Sequence, residues 1–336
     1  MSPTPQAIGV GWAIDSFERR NRLLGVWQTP TNGDGGDWTP VFARALAEGA
    51  SASVALDPSD YELLRFGTNA VFRLRGTPWV LRLRRPGAEF VSIERQLSLA
   101  AWLSKQNLAV NRPAAGIPPV AAGTQGAIAS FWEWVENDPE ERVSVEEFGA
   151  MLRDFHSLTD GYVAGCEFPG WNAVLEIEQR LAQATEGASF LSSEERDLLQ
   201  RWTEEVKRDL AAVEWCLPRG VVHGDAHIGN VLATKRGGVM IDLDALAQGP
   251  REWDLVPTAV SCLRFGQGLA QVAAFSDAYG FDLLAWAGWP TLRRVRELYM
   301  TSWLLSVSTT LERQAEVRHR IETLRADRED VAWHAV

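Results

Sequence analysis

The sequence contains little of what marks a secreted or membrane-inserted protein. Its three cysteines, Cys166, Cys216 and Cys262, are odd in number and widely spaced, which predicts buried thiols in a reducing compartment rather than a disulfide framework. No apolar run is long enough to span a bilayer. The N-terminal segment MSPTPQAIGV lacks a basic stretch followed by an apolar one, so no signal peptide is expected. These absences predict a cytoplasmic protein without a membrane partner.

Positive charge is also in short supply. Lys and Arg total 33 against 44 Asp and Glu, which gives a formal net charge of −11. Binding to a phosphate backbone requires clustered Lys and Arg, so a nucleic-acid partner is not expected. The negative charge suits a cationic substrate attracted over long range, but it equally suits a surface that only maintains solubility.

The patterning along the chain predicts three parts. Residues 1–50 form a helical N-terminal extension, in which Thr39 and Pro40 are a typical helix start. Residues 51–133 are rich in short strands, and residues 134–336 are mostly helical. With 336 residues, the chain is long enough for two lobes after the extension.

The stretch VVHGDAHIGNVLATKRGGVMIDLD, residues 221–244, carries the strongest chemical signal. Two short apolar segments flank the turn at residues 235–238, which predicts a β-hairpin. A hairpin sets Asn230 at the start of one strand and Asp242 at the end of its partner, so we expect both to face one pocket. Together with Asp225 they offer oxygen ligands of the kind that Mg²⁺ prefers. A carboxylate left free of the metal can accept a proton from an attacking hydroxyl, so the pattern predicts phosphoryl transfer.

HGDAHIGN followed by IDLD resembles the catalytic and metal-binding motifs of the aminoglycoside phosphotransferase and choline kinase-like families. These are small-molecule kinases with a protein-kinase-like fold. The resemblance implies an α+β, two-lobed fold with an antiparallel-sheet N-lobe and a mainly helical C-lobe. It implies that Asp225 orients and deprotonates the acceptor hydroxyl, and that Asn230 and Asp242 hold Mg²⁺ with ATP. By the same analogy, His223 is expected to brace the loop by hydrogen bonding.

The turn after the first strand of the N-lobe is the expected cover for the nucleotide phosphates. Gly67, Thr68 and Asn69 follow a short strand, and their backbone N–H groups can lie over phosphates, although an ordinary hairpin would look the same. In the resembled fold a basic residue follows on a later strand. Here that residue is Arg82, where many relatives carry Lys, and a guanidinium can still reach two phosphate oxygens.

A helix predicted at residues 90–105 should carry the partner of Arg82. Its register places Gln96 where the resembled fold has Glu, with Glu94 two residues earlier. Two residues on a helix are about 200° apart, so both side chains cannot face Arg82. We favour Glu94, because an ion pair fixes a guanidinium better, and Gln96 is the alternative.

The aromatic segment FWEWV, residues 131–135, matches the position of the hinge in the resembled fold. There, backbone groups hold the edge of adenine while apolar side chains sandwich its ring. Trp132, Glu133 and Trp134 are therefore expected to bind the nucleotide base. The alternative is an aromatic edge strand that is simply buried.

The C-terminal helices are expected to shape the acceptor site. Asp254 heads a helix and is expected to brace the catalytic loop. Glu297, Tyr299 and Trp303 are candidates to line the acceptor pocket. Carboxylates near this pocket, such as Glu297 and the Asp254 region, would favour a cationic acceptor, which predicts an amino-bearing molecule such as an aminoglycoside, another antibiotic or an amino sugar. Alternatively, the carboxylates pair with arginines of the same helices, such as Arg296, and create no such preference.

The sequence therefore predicts an ATP- and Mg²⁺-dependent kinase, monomeric or homodimeric, that phosphorylates a hydroxyl of a small molecule. Two alternatives stay open: a kinase of a primary metabolite such as choline, homoserine or a neutral sugar, and a catalytically silent nucleotide-binding module. The presence of Asp225, Asn230 and Asp242 argues against the silent module. A protein kinase is disfavoured, because only a short segment separates IDLD from the next helix.

Overall fold

The computed structural model describes residues 38–163, 165, 167–187 and 189–336. Most of the predicted N-terminal extension, and Cys166, lie outside the described residues. The chain divides into two compact units. The first contains the described residues up to Ala88 together with Gly116–Phe131, and the second consists mainly of Glu89–Ala115 and Trp132–His334.

The first unit is built on a five-stranded sheet with the strand order β1-β2-β3-β5-β4. The neighbours β1 and β2, β2 and β3, and β4 and β5 pair antiparallel. Helix α1 (Pro40–Ser53) packs on these strands, and the side chain of Thr39 caps it by accepting a hydrogen bond from the backbone of Phe42. The strands are β1 (Asp60–Phe66), β2 (Asn69–Arg75), β3 (Trp79–Arg84), β4 (Val120–Ala122) and β5 (Ala127–Glu133).

The second unit is mostly helical. Two of its helices begin at serine caps: Ser144 accepts a hydrogen bond from the backbone of Glu147, and Ser192 forms a capping box with Glu195. Its helices are α2 (Phe90–Lys105), α3 (Val145–Thr159), α4 (Ala173–Gly187), α5 (Ser193–Ala211), α6 (Glu252–Arg264), α7 (Leu269–Tyr279), α8 (Trp289–Ser306) and α9 (Leu311–Arg325).

Two short antiparallel pairs interrupt the helices of the second unit. Strand β6 (Arg219–Val222) pairs with β9 (Ala247–Pro250). Strand β7 (Val231–Thr234) pairs with β8 (Gly237–Met240), so the hairpin predicted from the sequence is confirmed. The segment between β6 and β7 carries Asp225 and Asn230, and the segment between β8 and β9 carries Asp242.

The predicted α+β class, with an antiparallel sheet followed by a mainly helical part, is confirmed. Residues 89–115, which the sequence patterning assigns to the N-lobe, cluster with the helical unit. Among the described residues, no helix combines the length and apolarity needed to cross a membrane. The expectation of buried thiols is right for Cys262 and wrong for Cys216, which is exposed in the loop before β6.

Candidate active site

The loop between β6 and β7 takes a conformation that requires glycine at its second position. Gly224 has a φ of +84°, and a Cβ atom at this residue would lie 2.0 Å from the carbonyl oxygen of Ala245. A side chain is therefore excluded on both conformational and steric grounds. The indole Nε1 of Trp253 donates to the carbonyl oxygen of Gly224 at 2.8 Å, which holds the loop against α6.

Asp254 holds the backbone of this loop in place, as the sequence predicts. It is fully buried, and its carboxylate accepts hydrogen bonds from the backbone N–H groups of His223 at 2.6 Å and Gly224 at 2.8 Å. The ring of His156 lies 2.9 Å from the same carboxylate through Nε2 and 2.8 Å from the hydroxyl of Tyr279 through Nδ1. A buried carboxylate with these partners fixes the start of the loop because any displacement leaves N–H groups unpaired.

The imidazole of His223 connects the loop to the end of the hairpin. Its Nε2 lies 3.1 Å from the carbonyl oxygen of Ile241, and the backbone N–H of Asp225 donates to its Nδ1 at 3.4 Å. Both ring nitrogens are thus used inside the protein. The expectation that His223 braces the loop is confirmed.

Asp225 lies on this loop with its carboxylate partly accessible, and its side chain is 38% exposed. Oδ1 accepts a hydrogen bond from Nη2 of Arg296 at 2.8 Å, and Oδ2 lies 3.5 Å from Nε2 of His227. Burial raises the pKa of Asp225, but the nearby charges of Arg296 and His227 outweigh it and hold the pKa well below its ordinary value. The group is therefore an anion at neutral pH and is open to an approaching hydroxyl.

Arg296, on α8, is a partner of Asp225 that sequence reasoning missed. Its side chain is only 8% exposed, and its guanidinium lies 5.3 Å from the ring centre of Tyr299. Within the described part of the chain, Nε and Nη1 have no hydrogen-bond partner, so the interaction with Asp225 is its main polar contact. From the sequence alone, Arg296 is expected only as a partner for carboxylates of the C-terminal helices.

Asn230 and Asp242 stand at the two ends of the β7–β8 hairpin. The backbone N–H of Ile241 donates to the carbonyl oxygen of Asn230 at 2.9 Å, which ties the two ends together. The amide Nδ2 of Asn230 donates to the backbone carbonyl of Asp225 at 3.0 Å, so its Oδ1 is the atom left for a cation. Asp242 has a left-handed backbone, with φ of 65°, directly after the strand. Amide and carboxylate oxygens match the donor set that Mg²⁺ requires, and the metal assignment stays a prediction.

The residues predicted to cover the nucleotide phosphates lie in the first unit. Thr68 is exposed at the tip of the turn between β1 and β2, while Gly67 and Asn69 are half-buried. The backbone N–H of Gly67 donates to the carbonyl of Asn69 at 3.0 Å, and Nε1 of Trp38 donates to the carbonyl of Gly67 at 2.8 Å. Arg82 lies on β3 opposite Val71. Their roles in binding phosphate stay predictions.

The residues predicted to contact the base and to partner Arg82 lie in the second unit. Glu94 is exposed on α2, whereas Gln96 is buried, with 3% of its surface accessible. Trp132 is buried, Glu133 is half-buried and Trp134 is exposed. The backbone N–H of Glu133 donates to the carbonyl oxygen of Arg112 at 2.8 Å, so that N–H is already engaged inside the protein.

The carboxylates expected to line an acceptor pocket are internal instead. Glu297 is fully buried, and its Oε1 accepts a hydrogen bond from Nε of Arg264 at 2.7 Å and lies 3.9 Å from Nε of Arg293. Asp254 is occupied by the loop that it braces. The prediction that these two carboxylates attract a cationic acceptor is wrong, because both are fully buried and are bonded to groups within the protein.

Tyr299 and Trp303, the other candidates for the acceptor pocket, are placed differently. Trp303 is exposed, and the hydroxyl of Tyr299 donates to Oε2 of Glu176 at 2.8 Å. The guanidinium of Arg180 lies 4.1 Å from the ring centre of Tyr299 and also bonds Glu176 at 2.8 Å. Burial raises the pKa of Tyr299 to about 12, so its hydroxyl remains protonated. The side chain of Glu176 is 48% exposed, and sequence reasoning did not single it out.

Comparison with known proteins gives this arrangement a context. Residues 62–298 match the model of the phosphotransferase enzyme family. Among solved structures, an amicoumacin kinase superposes with a TM-score of 0.69 at 14% identity, covering 88% of this chain and 98% of that one. A microcompartment-associated aminopropanol kinase gives 0.65 at 19% identity, covering 85% and 99% of the two chains. An aminoglycoside phosphotransferase from Streptomyces rimosus gives 0.55 at 20% identity, covering 76% and 98%. At these identities, the likeness establishes the fold.

Proposed function

The chain belongs to the phosphotransferase enzyme family, and we propose that it transfers the γ-phosphoryl group of ATP to a hydroxyl of a small molecule that also carries an amino group. The predicted family and the kinase-like fold are confirmed, and with them a phosphotransferase whose acceptor is an alcohol and which uses ATP with a divalent metal. The amino group of the acceptor is the proposed part. Cytoplasmic location and a monomeric or homodimeric state stay predictions.

One observation supports the proposed mechanism above all others: Asp225 is an accessible carboxylate on a loop that the protein holds rigid. Asp254 fixes the backbone before Asp225, and Asn230 fixes its carbonyl group. Arg296 keeps the carboxylate ionised and limits its rotation by the bond to Oδ1. Such a group can orient an acceptor hydroxyl and take its proton as the oxygen attacks the γ-phosphorus and ADP leaves.

The phosphate side of the reaction depends on charge neutralisation. We propose that Asn230 and Asp242 hold the divalent cation, which would neutralise phosphate oxygens when bound. Arg82, with the backbone of Gly67 and Thr68, is proposed to contact the phosphates of the nucleotide. Because the transition state of phosphoryl transfer is loose, positioning and electrostatic stabilisation contribute more than the strength of the base. A low pKa for Asp225 is therefore compatible with its role.

Two observations support an amino-bearing acceptor. The solved relatives include an aminopropanol kinase and an aminoglycoside phosphotransferase, whose named acceptors are amino-bearing alcohols. In this chain, Glu176 offers a half-exposed carboxylate beside Tyr299, and the ring of Tyr299 lies against Arg296. Glu176 replaces Glu297 and Asp254 as the carboxylate proposed to receive an ammonium group. Within this class, a small amino alcohol is the second candidate acceptor beside an aminoglycoside or amino sugar, supported by the aminopropanol kinase at a TM-score of 0.65.

An ATP-consumption screen tests the proposal. The panel contains aminoglycosides, amino sugars and amino alcohols, each with a hydroxylated analogue that lacks the amine. We expect turnover with at least one amino-bearing member, and a loss of about two orders of magnitude or more in Asp225→Asn, which keeps the size of the side chain. Turnover confined to neutral acceptors would contradict the amino-bearing acceptor, and undiminished turnover by Asp225→Asn would contradict the assignment of Asp225.

A further inference from the structure

A second cluster of potential metal ligands lies away from the proposed active site. Glu316 and His319 are three positions apart on α9 and therefore share one face of the helix. His334, in the segment after that helix, comes to the same place. One ligand atom of each of the three residues lies within 4.8 Å of the others. The proposed phosphoryl transfer uses none of them.

The two imidazoles are arranged as metal-binding histidines usually are. Nε2 of His319 lies 2.9 Å from the carbonyl oxygen of Ala332, an acceptor, so the hydrogen is on Nε2 and the lone pair is on Nδ1. Histidines that bind metals commonly donate their other ring N–H to a backbone carbonyl in this way. Nδ1 of His334 lies 2.9 Å from Oε2 of Glu316, so this nitrogen already points at the carboxylate.

Glu316 is oriented just as firmly. Its side chain is only 3% exposed, and Oε1 accepts hydrogen bonds from Nε of Arg320 at 2.8 Å and from the backbone N–H of His334 at 3.0 Å. Oε2 is directed at the imidazole of His334. A cation could take the place of the proton between Oε2 and Nδ1 without moving the carboxylate from its other partners. Hydrogen bonding of a ligating carboxylate is a common feature around bound metals.

We propose that Glu316, His319 and His334 bind a transition-metal dication, with Zn²⁺ as the best match. Two imidazole nitrogens and one carboxylate oxygen are donors that Zn²⁺ prefers, and water completes its tetrahedral geometry. Mg²⁺ does not compete well, because it prefers oxygen ligands in an octahedral arrangement. His319 is half-buried and His334 is exposed, so a cation can enter from solvent.

The bound metal fastens the C-terminal segment to α9. Without metal, that segment is held by the burial of Trp333, whose ring lies under the guanidinium groups of Arg264 at 4.9 Å and Arg320 at 4.7 Å. Zn²⁺ adds a direct connection from the helix to His334, one residue later. The metal-free alternative is that the hydrogen bond between Glu316 and His334, supported by Arg320, is sufficient by itself.

The test measures Zn²⁺ binding to the full chain after chelation and desalting. Titration calorimetry is run with saturating Mg²⁺, so that the oxygen ligands of Asn230 and Asp242 are not offered to Zn²⁺, and elemental analysis gives the stoichiometry. We expect about one Zn²⁺ per chain, with affinity reduced about tenfold or more in His319→Ala and in His334→Ala. The melting temperature should rise with Zn²⁺ in the parent protein and not in these variants.

His227→Ala is the matched control for binding, since it removes a partly exposed imidazole outside the cluster and should leave the Zn²⁺ affinity unchanged. His319→Gln keeps the bulk of the side chain, so a loss of binding in a variant that melts normally without metal cannot be attributed to misfolding. Absence of Zn²⁺ binding in the parent protein would overturn the proposal. Equal affinity in the parent, His319→Ala and His334→Ala would also overturn it, because the metal would then be bound elsewhere.

Discussion

Nη2 of Arg296 donates a hydrogen bond to Oδ1 of Asp225 at 2.8 Å across 71 positions of the sequence. The residue assigned to the acceptor hydroxyl is thus held by a guanidinium from a helix outside the catalytic motif. This contact lowers the basicity of Asp225, and it also fixes the orientation of the carboxylate. In a loose phosphoryl-transfer transition state, orientation is the larger effect, so the arrangement favours catalysis.

Replacing Arg296 with Met should lower kcat by about one to two orders of magnitude, because Asp225 loses the contact that orients it. KM for ATP should change little, since the proposed phosphate ligands are other residues. Steady-state kinetics in which the concentrations of ATP and of the acceptor are varied separately give kcat and KM for ATP. Arg294→Met is the control on the same helix, where the guanidinium lies 4.7 Å from the ring centre of Trp202. Equal losses of kcat in both variants would show that α8 tolerates no loss of charge and that Arg296 has no specific role.

Asp242→Asn should weaken the binding of Mg·ATP, because it removes the anionic ligand proposed to act with Asn230. Calorimetric titration of ATP with Mg²⁺ present measures the change. The same titration with Mg²⁺ removed by a chelator is the control, and there the parent and the variant should bind ATP alike. If affinity and turnover with Mg²⁺ are both unchanged, the metal ligands lie elsewhere.

Asp254→Ala should be strongly destabilising. It removes the acceptor for two buried backbone N–H groups and for His156, a loss on the order of 3–5 kcal/mol for a broken buried charged network. Thermal unfolding of purified protein provides the measurement. Glu252→Gln is the matched control two positions earlier on α6: Oε1 of Glu252 accepts from two backbone N–H groups at 2.7 Å, and the amide oxygen of Gln can do the same. A smaller effect for Asp254→Ala than for Glu252→Gln would refute the bracing role.

The catalytic stretch could be predicted from the sequence because its residues are close together and their spacing follows local structure. Asn230 and Asp242 are brought together by a hairpin whose turn is visible in the sequence, and the position of Asp254 at a helix start predicts its bracing role.

The partners of the charged residues on α8 could not be predicted in the same way. Arg296 and Glu297 are neighbours on one helix, yet Arg296 reaches Asp225 and Glu297 reaches Arg264, 33 positions earlier. The helical pattern identifies which residues share a face, but it does not say which distant element packs against that face. For this reason Glu297 was expected in the acceptor pocket although it is buried in an ion pair.

The acceptor preference can now be tested at a specific carboxylate. Glu176 is half-exposed and is bonded to both Tyr299 and Arg180 at 2.8 Å, and Glu178 on the same helix pairs with Lys207 at 2.6 Å. If Glu176 receives the ammonium group of the acceptor, Glu176→Gln should lower kcat/KM for glucosamine-type acceptors about threefold to tenfold, with little change for glucose-type analogues. Glu178→Gln should affect neither class, because its carboxylate pairs with Lys207 and is not the one bonded to Tyr299.

Ionic strength separates a charge effect at Glu176 from a loss of shape. Attraction between an exposed carboxylate and an ammonium group is screened by salt, so the preference of the parent protein for the amine should shrink between low and high salt. In Glu176→Gln the preference should be small at both salt concentrations. If the parent protein uses neutral and amino-bearing acceptors equally well at both concentrations, Glu176 only bonds Tyr299 and Arg180 within the protein, and the amine has no part in recognition.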